Sequence, residues 1–304
     1  VLTVRRLLVL LLGSLLSPLV WATTEATPLV ADPPDDGAHP ASIVELTIPS
    51  HGARLPGHIY LAAGAGPHPT VVFLHGFPGN ERNLDLAQAL RRAGFNSLFF
   101  HYRGAWGAEG EYRIAHLTED TATVLRWLRA EEQLRALRID PTALSLLGHS
   151  LGGYTALAAG SQDPALRCVM ALAPANLALW KDGAEDGGLL FERLQAYADS
   201  LFMLRGLDGN KLGAELRTTP REQLDTERFA PGLVGKSVLM IAGDRDQATP
   251  PAQMFDPVVR AYLEEPRMYL STLKLPTDHS FSGLRLRLTE AILDWAGEHC
   301  ASAP

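Results

Sequence analysis

Gly148-His149-Ser150-Leu151-Gly152 stands between an apolar run, Leu144 to Leu147, and the small-residue stretch Gly153 to Leu157. The run reads as a strand and the stretch as a helix, so Ser150 falls on a strand-to-helix turn. A serine on such a turn is held in a strained conformation with its hydroxyl above the sheet, and small residues two places away let strand and helix approach. The hydroxyl is hardly ionised at neutral pH, so a nucleophilic Ser150 needs a base, and the base needs an orienting carboxylate.

Ten histidines compete for the role of base. His279, in Asp278-His279-Ser280-Phe281, follows the strand-like Tyr269 to Leu275 and precedes the last helical pattern, which places it in a loop at a strand's carboxyl end. His39 and His51 precede the core, His101 and His116 belong to the segment after the second core strand, and His299 is in the tail. His279 is therefore the candidate base. For the acid, Gly243-Asp244-Arg245-Asp246 follows the strand Ser237 to Ile241. Asp246 is better placed to swing over the sheet, and Asp244, nearer the strand, is the second candidate. Ser150, His279 and Asp246 are expected to converge at about hydrogen-bonding reach.

His75-Gly76-Phe77-Pro78-Gly79 ends an earlier core strand, on the edge where ligands gather in parallel sheets. The backbone N–H groups of Phe77 and Leu151 are the candidate donors to an oxyanion. His75 reads as structural, orienting that loop. Tyr102-Arg103-Gly104-Ala105-Trp106-Gly107 is a glycine-rich loop with two open readings: Tyr102 and Trp106, together with His149, line a substrate pocket, or Arg103 braces neighbouring loops. His39, His51, His58 and His68 lack the i, i+4 helical spacing of a metallohydrolase, and no metal or cofactor is expected.

These residues must be positioned by alternating strands and helices. Ser42 to Pro49 and Leu55 to Ala62 read as an antiparallel hairpin around Ser50-His51-Gly52. Thr70 to His75 and Phe95 to Tyr102 read as strands, and Leu84 to Arg92 and Asp120 to Leu134 as helices. Ala143 to Gly148, Tyr154 to Ala159, Arg167 to Ala173, Ser237 to Ala242 and Tyr269 to Leu275 continue the alternation, and Leu286 to Ala296 is a last helix. Such an order requires a mainly parallel sheet with helices on both faces. About sixty residues, 177–235, break the rhythm as one or two helices without a strand, which reads as a lid or binding element, or as a passive packing excursion. There Phe191, Tyr197, Phe202 and Met203 read mostly as the insertion's own packing face.

Over residues 42–304 the sequence resembles the α/β-hydrolase superfamily, on His75-Gly76-Phe77-Pro78-Gly79, Tyr102-Arg103-Gly104, Gly148-His149-Ser150-Leu151-Gly152-Gly153, Gly243-Asp244-Arg245-Asp246 and Asp278-His279. Within it the chain is similar to dienelactone-hydrolase-like esterases, feruloyl esterases and prolyl-oligopeptidase-type peptidases. The resemblance implies an eight-stranded sheet, a Ser-Asp-His triad carried onto Ser150, Asp246 and His279, and no cofactor. It implies hydrolysis of a carboxylic ester or related acyl compound through an acyl-serine. The rival readings are a peptidase acting on short peptides and a non-catalytic protein that keeps the fold. The dienelactone hydrolases use a cysteine nucleophile, which this chain replaces with Ser150.

Composition sets the remaining bounds. The chain has 304 residues, 46% of them hydrophobic, which suits one enzyme-sized domain. Arg5-Arg6, the apolar Leu7 to Leu16, Pro18 and Val20-Trp21-Ala22 read as a signal peptide over 1–22, too short to span a bilayer, followed by a flexible lead-in over 23–41. An exported protein, periplasmic or secreted and of bacterial origin, with no stable membrane anchor, is the expectation. The net charge is −7, and loss of Arg5 and Arg6 takes it to −9, which excludes nucleic acid as a partner and leaves a small acyl compound. Cys168 opens an apolar run and Cys300 sits in the tail, so two separate thiols are expected rather than a pair.

Overall fold

The computed structural model describes Leu29 and residues 31–301, so the signal peptide read at 1–22 and residues 23–28 and 30 of the lead-in lie outside the described residues. The chain runs β1 (Ser42–Ser50), β2 (Ala53–Leu61), β3 (His68–Leu74), α1 (Leu84–Arg92), β4 (Asn96–Phe100), α2 (Ile114–Leu128), α3 (Glu131–Ala136), β5 (Ile139–His149), α4 (Leu151–Gln162) and β6 (Cys168–Leu172). An excursion follows: α5 (Leu177–Asp186), α6 (Leu189–Asp199), α7 (Gly209–Thr218), α8 (Arg221–Leu224), a 3-10 turn (Thr226–Phe229) and α9 (Ala230–Leu233). The chain then closes with β7 (Ser237–Gly243), α10 (Pro251–Met254), α11 (Asp256–Leu263), β8 (Tyr269–Leu275) and α12 (Arg285–His299).

The eight strands form one sheet in the order β1-β2-β4-β3-β5-β6-β7-β8. β1 and β2 pair antiparallel through a turn at His51 and Gly52, both with positive φ, the twist a tight hairpin needs. β2 meets β4 antiparallel, and from β4 to β8 every pairing is parallel. The strand period of two sorts the core into two layers. Val71, Phe73, Leu147 and Met170 pack on α1 and α12, and Val72, Leu74, Leu144 and Leu146 pack on the face covered by α2, α4 and α11. Both faces of the central strands are thus dry, which is why these strands read as unbroken apolar runs.

Three sequence expectations change. The helix expected over Asp120 to Leu134 starts at Ile114, because Ile114, Leu117, Thr121, Val124 and Leu128 form its buried face. Asp120 is no helix start but a buried mid-helix carboxylate, taking Nε of Arg103 at 2.7 Å and Oγ of Ser50 at 2.6 Å. The excursion after β6 holds more helix than one or two elements, and Leu204 within it forms an isolated bridge to Ala105.

The third correction concerns the cysteines. Packing of Leu288, Ile292 and Trp295 against the sheet carries the end of α12 to the start of β6, and Cys168 and Cys300 are joined as a disulfide, Cα atoms 5.7 Å apart. The bond closes a span of 132 residues, so its main effect is to restrict the unfolded chain. Cys300→Ser should cost about 2–4 kcal/mol in urea unfolding. A variant midpoint equal to that of the oxidised wild type would show that the pair is not formed in solution.

Candidate active site

The parallel ladder brings four carboxyl ends to one edge. β3 leads into Gly76 and Phe77, β5 into Ser150, β7 into Asp246 and β8 into His279. Ser150 sits at φ 58° and ψ −120°, a conformation costly for a side-chain-bearing residue. The turn is clamped because Ser150 N–H donates to the Leu172 carbonyl at 2.8 Å and the Ser150 carbonyl accepts from Ala175 N–H at 3.1 Å. Its tightness dictates the flanking glycines: a Cβ on Gly148 would collide with the Gly152 carbonyl, and one on Gly152 with the Leu74 carbonyl.

Leu151 opens α4, so its N–H has no partner within the helix. The Phe77 N–H likewise makes no hydrogen bond among the described residues. The loop that carries Phe77 lies directly on the nucleophile turn, since a Cβ on Gly76 would come 3.0 Å from Ser150 Cβ. Two unpartnered N–H donors therefore flank Ser150, the arrangement an oxyanion requires.

His279 Nδ1 donates to Asp246 Oδ2 at 2.6 Å. The other carboxylate oxygen accepts the N–H groups of Ala248, at 2.8 Å, and Thr249, at 2.9 Å. Burial opposes the charge on Asp246, whose side chain is 1% exposed, yet the bonds from His279 and Thr249 outweigh it and hold the carboxyl below the usual range. Asp244 is exposed and faces Arg245 at 3.7 Å, away from the histidine. Among the described residues the Ser150 hydroxyl makes no hydrogen bond, so the expected serine-to-base contact is open here; both side chains line the same two cavities. Such contacts often tighten only with substrate present.

Thr249 is a participant that the sequence reading missed. Its Oγ1 donates to Asp246 Oδ2 at 2.7 Å, and it also lies 3.2 Å from His279 Nδ1 and 3.0 Å from the Ala173 carbonyl. Three residues after Asp246, it is an Asx-type turn position, and that spacing is the only signal the sequence offered.

The pocket assignment of Tyr102 and Trp106 is corrected by their surroundings. Tyr102 is 1% exposed and packs its ring 4.6 Å from His75, beneath the Phe77 loop, while Trp106 Nε1 donates to the Pro78 carbonyl at 2.7 Å. Both brace the loop, and neither is among the described residues that line the two cavities at Ser150 and His279. Arg103 does brace, with its backbone and side chain on Asp120 and its guanidinium on Glu119 at 2.5 Å. His149 borders the smaller cavity, but its Nε2 donates to the His279 carbonyl at 2.8 Å, tying the histidine loop to the nucleophile turn. His75, expected to orient the loop, donates Nδ1–H to the Gly76 carbonyl at 2.9 Å.

Two cavities meet at Ser150 and His279. The larger, about 940 Å³, lies under α5 and α6 and is walled by Phe77, Trp180, Phe191, Leu194, Pro250 and Met254. The smaller, about 160 Å³, is formed by residues 76–81 with His149, Tyr197 and Ser280. Of the insertion residues expected to be packing, Phe191 and Tyr197 line a cavity, Met203 packs on the core, and Phe202 is 92% exposed. Among the described residues no group of three His, Cys, Asp or Glu side chains stands where it could hold a metal ion, and no helix is long and apolar enough to cross a membrane.

A family model described as alpha/beta hydrolase fold matches residues 69–202. An uncharacterized 31.7 kDa protein of Escherichia coli is 37% identical over 109 residues, 34% of this chain and 36% of that protein. The lysophosphatidylserine lipase ABHD12 of Danio rerio is 31% identical over 88 residues, 28% of this chain and 21% of the lipase. These alignments span well under half the length of the curated relatives. Among solved structures, Est1E of Butyrivibrio proteoclasticus with ferulic acid bound superimposes with a TM-score of 0.65 at 19% identity, covering 84% of this chain and 98% of that one.

Proposed function

Because this chain has the α/β-hydrolase fold, we propose that it is a serine hydrolase that cleaves a carboxylic ester through a covalent acyl-serine, with Ser150 as nucleophile, His279 as base and Asp246 as the orienting acid. The observation that carries this reading is the 2.6 Å bond between His279 and the buried, ionised Asp246, on the edge where the strained Ser150 turn projects. Asp246 accepts a hydrogen bond from His279 Nδ1–H, which keeps that proton on Nδ1 and leaves Nε2 free to take one.

Ser150 Oγ attacks the acyl carbon as its proton passes to His279 Nε2. The carbonyl oxygen becomes an oxyanion held by the N–H groups of Phe77 and Leu151. Collapse breaks the ester C–O bond, and the alcohol leaves with the proton from His279. Water then attacks the acyl-serine by the same route, releasing the acid and restoring Ser150. The likeness to a lysophosphatidylserine lipase supports ester chemistry. A disulfide between Cys168 and Cys300 suits an oxidising compartment, in line with export.

A fluorophosphonate probe tests the nucleophile, because only an activated serine is phosphonylated. Mass spectrometry should place the adduct on the peptide containing Ser150, and Ser150→Ala should abolish it. An unlabelled folded wild type, or an adduct on another serine, would overturn the reading.

A further inference from the structure

Resting on that reading, we propose that the large cavity takes the acyl half of the substrate, that this half is a long alkyl or aromatic group, and that the small cavity takes a compact polar alcohol. The walls differ in kind. Trp180, Phe191, Leu194 and Met254 face the large space, whose polar lining beside the catalytic pair is Thr249, Gln247 and Gln253, and none of its described lining residues is an Asp, Glu, Lys or Arg. A charged acyl group there would be desolvated without compensation, whereas an apolar one gains with each methylene buried. The small space shares Phe77 and Tyr197 with the large one, but the rest of its lining includes Asn80, Ser280 and the carboxylate of Glu81.

The order of events assigns the two halves. The alcohol must depart before water can attack, while the acyl group stays attached to Ser150 through both steps. The small cavity shares Asn80, Glu81 and Ser280 with a polar depression of about 480 Å³ that also holds Asn83, Ser282 and Arg285. That is an aqueous exit for a polar product. The large cavity instead lies beneath α5 and α6, where most of an apolar acyl group would be covered, and its lining includes the exposed Leu189 and Tyr197, at 61% and 43%.

Chain-length profiles test the proposal. With the alcohol fixed, kcat/KM for an octanoyl ester below its micellar concentration should exceed that for the acetyl ester by more than about tenfold. Lengthening the alcohol of an acetyl ester should give less than about threefold. Leu194→Trp, at a partly buried position of α6 that lines the large cavity, should lower the octanoyl-to-acetyl ratio by about tenfold or more. Binding gives a reading that needs no turnover: Ser150→Ala should bind the octanoyl ester with a negative heat-capacity change and the acetyl ester far more weakly. A flat acyl profile in a protein that the fluorophosphonate labels, or a preference that follows the alcohol instead, would overturn this assignment and leave the hydrolase reading standing. Failure of labelling alone would sink the hydrolase reading while the binding arm still judges the cavity.

Discussion

Replacing Asp246 with asparagine is expected to lower kcat/KM for an ester by on the order of 10⁴ without unfolding the protein. The geometry predicts how. The carboxylate oxygen that accepts the N–H groups of Ala248 and Thr249 can be replaced only by the amide oxygen, because an NH₂ group there would face two donors. The NH₂ then occupies the Oδ2 position, 2.6 Å from His279 Nδ1. It donates where the carboxylate accepted, Nδ1 must become the acceptor, and the proton moves to Nε2, the nitrogen that has to take the proton of Ser150. Thr249 Oγ1 also loses its acceptor at that position. Asp244→Asn is the matched control, since that side chain is half exposed and its ion pair among the described residues is with Arg245 at 3.7 Å. It should change kcat/KM by less than about threefold, as surface changes usually do. Equal losses in the two variants, with unchanged circular dichroism, would reassign the acid.

The residues meeting at the sheet edge were legible because each lies within a few positions of its own strand end, and in a parallel sheet strand ends converge whatever the long-range packing. Asp246 over Asp244 was legible for the same reason, as reach along a short loop. What the sequence hid depends on contacts between distant segments. Thr249 matters through His279, thirty residues on, and the Cys168–Cys300 bond depends on where α12 docks. Tyr102 and Trp106 sit in a loop whose path is set by main-chain bonds to the insertion, Trp106 N–H to the Met203 carbonyl and Arg205 N–H to the Gly104 carbonyl, and no local spacing reports which way their rings turn. His149 is a different case, because it does border the smaller cavity at Ser150 but not the larger one. It continues the alternation of Ser145 and Leu147, and Leu147 belongs to the layer packed on α1 and α12. The period of two thus placed its ring toward Phe281 and the His279 loop, 6.4 Å and 4.7 Å between centroids, and away from the large cavity.

The histidines beneath the site carry a second large expectation: acid should unfold this protein well above the carboxylate range. Burial pushes His75 down to about 4, and with Arg82 nearby it stays neutral, its Nδ1–H spent on the Gly76 carbonyl and its Nε2 bare. Burial, then the neighbouring His75 and Arg82, push His101 down to about 3; burial and His279 do the same to His149. In the unfolded chain all three titrate near about 6.5. Below that pH the unfolded state binds protons that the native state refuses, so stability is complete above about 6.5 and falls as the pH drops toward the native values. At pH 5 each histidine costs about 2 kcal/mol, and three such costs are comparable with a typical domain stability of about 5–15 kcal/mol. Asp246 shifts the other way: its lowered pKa stabilises the fold fully above the ordinary carboxylate value and that stabilisation is lost only below it, so it adds no pH dependence between pH 7 and 5. The urea midpoint should therefore fall steeply between pH 7 and pH 5. In His101→Phe, whose ring can keep its place beside Phe99 and His75, the fall should be about a third smaller. A midpoint that stays level to pH 5, or an unchanged slope in the variant, would mean that these imidazoles are protonated in the folded protein.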